Sequence, residues 1–185
     1  MTLNREGPRT CLLMAFLLTA MALKSKGQDI PDKVFLDSAD FNYSFYTTDH
    51  HPSVKTGRVY TWYKTGRILT TQEGYDGKLL NGCFRKVYTN KNLCESGQYK
   101  NGIKSGLWME WYPAGVLMEK SHWGNGYRKG SVERYDSIGR LTEKGYYSDQ
   151  AFTGVVYQRI GADSTRSIQY AGGKAVIKSP PPKNK

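Results

Sequence analysis

Few side chains in this sequence are spaced for chemistry. His50 and His51 are adjacent, so on a strand they point to opposite faces and cannot act on one group. His122 stands beside Trp123, with no Ser or Cys at a recognisable local signature and no glycine-rich phosphate loop ahead of a helix pattern. The three histidines read as surface or packing residues, not as bases or ligands. Cys83 and Cys94 have no second cysteine or histidine at metal-ligand spacing. In a hairpin turning at Asn90-Lys91, Cys94 would face Val87 and Cys83 would face Gln98, several residues apart along the strand. They are expected to stay unbridged, although an oxidising compartment would permit a disulfide. Glu95, Glu119 and Glu143 recur every 24 residues. Such a ladder could hold a cation or meet a polysaccharide; the plainer expectation is solvated acids paired with Lys or Arg on neighbouring strands. No catalytic residue, metal or cofactor is expected.

The period of that ladder belongs to the elements that carry it. Leu69, Leu93, Leu117 and Leu141 form one column at the same spacing. Tyr75, Tyr99, Trp123 and Tyr147 form a second, and Gly82, Gly106, Gly130 and Gly154 a third. Three columns in step over four units mark an internal repeat. A partial unit with Gly57 and Tyr63 precedes them, one residue out of phase, and a decayed one follows around Ile168-Gln169-Tyr170. Each Leu lies six residues before its aromatic, which on a regular strand puts both on one face. Between them stand Glu73, Gly97, Ser121 and Gly145, three of them small enough for a ring to lie over.

Turn chemistry separates the strands. Asp76-Gly77, Asn101-Gly102 and Asn125-Gly126 supply residues that tolerate positive φ, and Asp149-Gln150 is a weaker version. A further strand is expected to start after each third-column glycine, with Phe84, Trp108, Val132 or Val156 two residues on and Tyr63, Tyr88, Tyr112 or Tyr135 closing it. Lys64-Thr65-Gly66-Arg67, Pro113-Ala114-Gly115 and Ser137-Ile138-Gly139-Arg140 return the chain to the next Leu. The fold class is therefore all-β, a meandering antiparallel β-hairpin repeat sheet that grows by one hairpin per unit of about 24 residues. The composition agrees. Twenty Gly and 14 Tyr favour short strands and tight turns, and 13% aromatics within only 38% hydrophobic residues mean a core filled by rings.

Residues 1–27 stand apart. Arg5 and Arg9 precede an uncharged run from Cys11 to Leu23, too short to span a bilayer, and Lys24-Ser25-Lys26-Gly27 follows. This is the layout of a signal peptide cut between Gly27 and Gln28, with an uncleaved anchor as the other reading. Its removal takes four bases and one acid from 27 and 16, leaving 23 and 15, so the net charge falls from +11 to +8. The remaining segments read as an N-terminal cap over residues 28–53, repeats over 54–172, and a basic Pro/Lys-rich disordered tail over 173–185.

The run Gly97-Gln98-Tyr99-Lys100-Asn101-Gly102-Ile103-Lys104-Ser105-Gly106-Leu107-Trp108-Met109-Glu110-Trp111-Tyr112, followed by Pro113-Ala114-Gly115, resembles a MORN-repeat variant. The resemblance covers residues ~54–160. Bacterial proteins with this repeat are commonly labelled YwqK-type antitoxins, and similar secreted proteins look typical of Bacteroidetes-like bacteria. The resemblance implies a non-enzymatic protein with a sheet-hairpin fold that binds another protein. Together with the export signal, it gives the expectation of a protein-binding scaffold in the periplasm, at the outer membrane or secreted. An antitoxin or immunity protein, or a binder of a glycan or an anionic membrane surface, is the alternative; nucleic acid is not an expected partner. Trp62, Trp108, Trp111 and Tyr112 are the candidates for an exposed partner surface, with structural packing as the competing role. Trp108 and Trp111 have opposite parity, so one of them should face the less buried side.

Overall fold

The computed structural model describes residues 32–160 and 164–176; the expected signal peptide over 1–27 and residues 177–185 of the expected tail lie outside them. Two hairpins come first, β1 (Asp32–Asp37) with β2 (Phe41–Thr48), then β3 (Val59–Lys64) with β4 (Arg67–Gln72). The repeat follows as β5 (Lys78–Tyr88), β6 (Leu93–Lys100), β7 (Ile103–Trp111), β8 (Leu117–Gly124), β9 (Tyr127–Tyr135), β10 (Leu141–Ser148), β11 (Ala151–Arg159), β12 (Thr165–Ala171) and β13 (Lys174–Val176). All pairings are antiparallel, and the sheet runs β1-β2-β5 and then in sequence order to β13. The all-β meander is thus the fold of the described chain.

The repeat columns acquire a physical meaning from the register. Three of the four third-column glycines sit across from a second-column aromatic: Gly82 opposite Tyr99, Gly106 opposite Trp123, Gly130 opposite Tyr147. These glycines lie inside strands, so each strand starts earlier than the turn pattern suggested. The small residues four after each Leu sit opposite the large apolar ones: Gly97 faces Phe84, Ser121 faces Trp108, Gly145 faces Val132. Small faces large at each of these positions, so rings lie flat over missing side chains instead of colliding. A β-carbon on Gly97 would land inside the Trp108 ring.

The leucine column departs from expectation. Lys86 pairs with Glu95 but Val87 pairs with Leu93, leaving one extra residue, Cys94, in a β-bulge. The same slip recurs between Glu110/Trp111 and Glu119/Leu117, and between Arg134/Tyr135 and Glu143/Leu141. Neighbouring residues of an extended strand face opposite ways, so Leu93, Leu117 and Leu141 share a face with Val87, Trp111 and Tyr135, opposite to the aromatic column. Cys83 does pair with Gln98, while Cys94 sits in the bulge, and both are free thiols.

The partial unit also departs from the one-hairpin-per-unit meander. The edge of β5 is taken by β2, with Phe41, Tyr43 and Phe45 opposite Tyr88, Lys86 and Phe84. Only Trp62 and Tyr63 of β3 pair with β5, and β4 pairs with β3 alone. Asp76-Gly77 therefore closes no hairpin. The β3–β4 hairpin instead folds over the sheet. Tyr63 and Ile68 pack on a cluster of Phe45, Leu80, Phe84, Tyr99 and Trp108, while Tyr60 and Trp62 gather with Leu79 in a second cluster. The Asn101-Gly102 turn is clasped in place, with Thr61 N donating to Gly102 O at 2.7 Å and Gly102 N to Leu80 O at 2.7 Å. Gly102 has φ +76°, and a β-carbon there would come within 2.6 Å of Leu79 Cδ2. Farther along, the Tyr127 hydroxyl donates to Gly57 O at 2.8 Å, with Arg58 stacked 4.0 Å from the Tyr127 ring centre.

At the far end, Gly172-Gly173 turns the chain so that Lys174 pairs with Ala171, and Lys174–Val176 are strand. The decayed unit is β12, with Tyr170 opposite Gly154 and Ile168 opposite Val156. The Asp149-Gln150 turn has the same left-handed pair as the Asn-Gly turns, with φ of 47° and 66°. Glutamine gains nothing locally from that conformation, so Gln150→Gly should raise stability by about 0.5–1 kcal/mol, read as a higher midpoint in urea.

Candidate functional site

Strand alternation puts the aromatic column, the carboxylate ladder and its partners Lys104, Arg128 and Arg134 on one face, which the β3–β4 hairpin covers only in part. Over β5, β6 and β7 the rings are interior: Phe84 and Tyr99 meet edge to face at 5.5 Å, as do Tyr99 and Trp108 at 5.0 Å. Past the mouth of the hairpin the same face opens over Trp123, Tyr147, Phe152 and Tyr170, all half-buried. Tyr147 and Phe152 are 5.5 Å apart, Phe152 and Tyr170 6.0 Å. A cleft of about 360 Å³ marks the transition, bounded by Val59, Thr61 and Thr70 of the hairpin and by Tyr99, Lys104 and Trp123 of the sheet.

Beside the rings runs the ionic row. Lys104 binds Glu95 at 2.7 Å and lies 3.9 Å from the Trp108 ring centre. Arg128 Nη1 donates to Glu119 Oε2 at 3.0 Å and Arg134 Nε donates to the same oxygen at 2.7 Å. Arg128 Nη2 lies 2.9 Å from Oε1, yet that oxygen has no partner at hydrogen-bonding angles, so the second contact is Coulombic. Arg134 continues to Glu143, joining two rungs of the ladder. The acids are paired with bases on neighbouring strands as the spacing suggested, but they are only partly solvated. Glu119 is only 7% exposed.

Burial alone would raise Glu119, but hydrogen bonds from Arg134, Ser121 and Arg128 outweigh it and hold the carboxyl below its ordinary value. Glu110 is the opposite case. It stands directly between Glu95 and Glu119 on the adjacent strands, and burial followed by the Glu95 charge raises it. A folded value above the unfolded one means ionised Glu110 destabilises at neutral pH, and stability recovers as pH falls through the raised value. Glu110→Gln should therefore stabilise by ~0.2–1 kcal/mol at neutral pH, the size of a cross-strand charge contact, and by less in acid. Urea melts at both pH values check this.

The four candidates for an exposed partner surface divide. Trp108 is 1% exposed, with Nε1 donating to Gln98 O at 3.2 Å, and Trp62 is buried with Nε1 donating to Thr71 Oγ1 at 2.9 Å. Neither belongs to an exposed strip, because the hairpin and the small residues beneath them close over both rings. Trp111 is half-buried on the opposite face from Trp108, as parity required. Tyr112 is a tether: its hydroxyl donates to Tyr135 O at 3.1 Å, reaching across β8. Tyr88 does the same to Trp111 O at 2.9 Å, reaching across β6. The Cys94 thiol beside it, then burial, push the Tyr88 hydroxyl up to about 12. Tyr88 closes β5 as expected and Tyr112 directly follows β7, and their shared spacing of 24 is the signal of this repeated contact.

Outside this face, His122 Nδ1 lies 2.9 Å from Ser131 Oγ on exposed surface, with no carboxylate bonded to the ring. Among the described residues no group of three or more His, Cys, Asp or Glu side chains is placed to hold a metal ion, and no helix is long and apolar enough to cross a membrane.

Fold and face together define an open antiparallel hairpin sheet with a half-covered aromatic and ionic surface. Compared with known proteins, the chain matches no family model, no curated protein and no solved structure.

Proposed function

We propose that this chain is an exported, non-catalytic MORN-repeat-variant protein that binds another protein in the cell envelope through the open half of its aromatic face. The observation that supports this most is the uncovered run Trp123, Tyr147, Phe152 and Tyr170, interleaved with Arg128, which lies 5.3 Å and 5.9 Å from the Trp123 and Tyr147 ring centres. Trp, Tyr and Arg are the side chains that carry most binding energy at protein interfaces. Here they stand on a rigid strand scaffold, so little side-chain entropy is lost on docking. An immunity protein for an exported toxin would use the same surface, and a toxin gene beside this one would favour that version. A glycan binder would use the rings without the arginine.

Adjacent tyrosines supply the test. Tyr147 faces the rings, whereas Tyr146, 52% exposed, faces the other way. Co-purification from envelope fractions should recover a partner with the wild type and with Tyr146→Ala, and lose it with Tyr147→Ala. A protein that stays free at high concentration, or a partner equally retained by both variants, overturns the reading. Sequencing the mature N-terminus tests export, with Gln28 the expected first residue.

A further inference from the structure

The strand β1 ends the sheet on one side. Among the described residues no strand pairs with its outer edge. Ser38 N donates to Phe41 O at 2.9 Å, which fixes which residues bond inward to β2. Antiparallel ladders alternate. Ser38, Leu36, Val34 and Asp32 therefore turn their N–H and C=O toward β2, and Lys33, Phe35 and Asp37 turn theirs outward. The same three residues project their side chains to one face, where Phe35 is 71% exposed.

Laid antiparallel on itself about Phe35, the segment is complementary at every position. Phe35 meets Phe35 of the second copy, and Val34 meets Leu36. Lys33 meets Asp37, and each such pair occurs twice. The outward backbone groups fall in the bonded positions of that register, giving about six main-chain hydrogen bonds. Asp32 is already held by Lys78 at 2.9 Å, whereas among the described residues Lys33 and Asp37 have no ion-pair partner. Val34 and Leu36, which pack partly against the Phe45 cluster, would continue the buried face across the seam. The other edges lack this match. β13 is three exposed residues led by a lysine. β4 would oppose Ile68 to Gln72, with no charge pair.

We propose that two copies of this chain join edge to edge through β1, in the register centred on Phe35, to form one continuous sheet. The seam is a two-fold, isologous contact, so it closes at two copies and leaves the open aromatic face of each free. It is independent of the envelope-binding reading.

Sedimentation of the full-length protein, purified from its producing cells and kept reduced so that exposed Cys83 cannot crosslink, tests the seam. The wild type should shift from one copy to two across the micromolar range. Phe35→Pro should sediment as one copy throughout while melting like the wild type, because the N–H it removes points away from β2. Lys33→Asp should weaken association roughly tenfold by opposing acids twice, and adding Asp37→Lys should restore it. A wild type that stays single at every concentration overturns the proposal, as does a pair that survives Phe35→Pro. Slow exchange of the Lys33, Phe35 and Asp37 amides in a single-copy sample also overturns it, since another segment of the chain would then hold the edge.

Discussion

Trp108→Ala is expected to lower the unfolding free energy by about 3–5 kcal/mol, the range for emptying a buried tryptophan site. Trp108 touches every layer of the central repeat. Tyr99 and Phe84 flank it at 5.0 Å and 5.8 Å, and Lys104 caps its face. Gly97 leaves the space its ring occupies. That cavity cannot collapse, because the strands on either side are fixed by their ladders. Gly97→Ala attacks the same contact from below and should cost about 1–3 kcal/mol as overpacking. Combined, the two changes should cost less than their sum, since the added methyl occupies space the indole has left. Urea melts of the four proteins measure this coupling. Additive losses would mean that the ring does not rest on Gly97.

Glu119→Gln should be the most damaging isosteric change on the sheet, costing about 2 kcal/mol. Breaking a fully buried pair costs ~3–5 kcal/mol, and this is reduced here because Arg128 and Arg134 keep 26% and 31% of their side chains in solvent. The pH dependence carries the diagnosis. Folding holds this carboxyl below its ordinary value, so its contribution is complete above the unfolded pKa and fades as pH falls through the depressed folded one. The gap between wild type and Glu119→Gln should therefore be constant at neutral pH and close in acid. A gap that persists at the lowest pH where the protein folds would assign the loss to shape instead of charge.

How much of this could be read beforehand depends on the period of the signal. The 24-residue columns, the Asn101-Gly102 and Asn125-Gly126 turns and the pairing of acids with neighbouring bases are local or periodic, so they survive in one dimension. The bulges at Cys94, Met118 and Thr142 did not, because a strand with one extra residue has the same composition as one without it. A trace was present. Pairing Gly82 with Tyr99 and closing the turn at Tyr88 and Asn92 cannot both hold in a regular ladder, and the excess is one residue. The displacement of β3–β4 had no such trace. It follows from β2 taking, with three aromatics, the β5 edge that β4 would fill in a simple meander, while β3 pairs with Lys78 and Leu79 on the opposite edge, ahead of β6. The burial of Trp62 and Trp108 leaves no trace in the sequence either, since what covers them comes from outside their own unit.

The clasp between residues 57–61 and the hairpin turns sets an order of assembly. Each repeat hairpin closes over a few residues, whereas joining Gly57 to Tyr127 closes 70 at greater entropic cost. The hairpins can zip up singly, but the clasp locks only after β9 is in place. From that moment the first half of the molecule opens and closes as one cooperative block. The strands beyond β10 stay outside it and fray at lower free energy, so of the proposed partner surface Trp123 and Arg128 stand on the locked block, while Phe152 and Tyr170 belong to the part of the sheet most able to adjust.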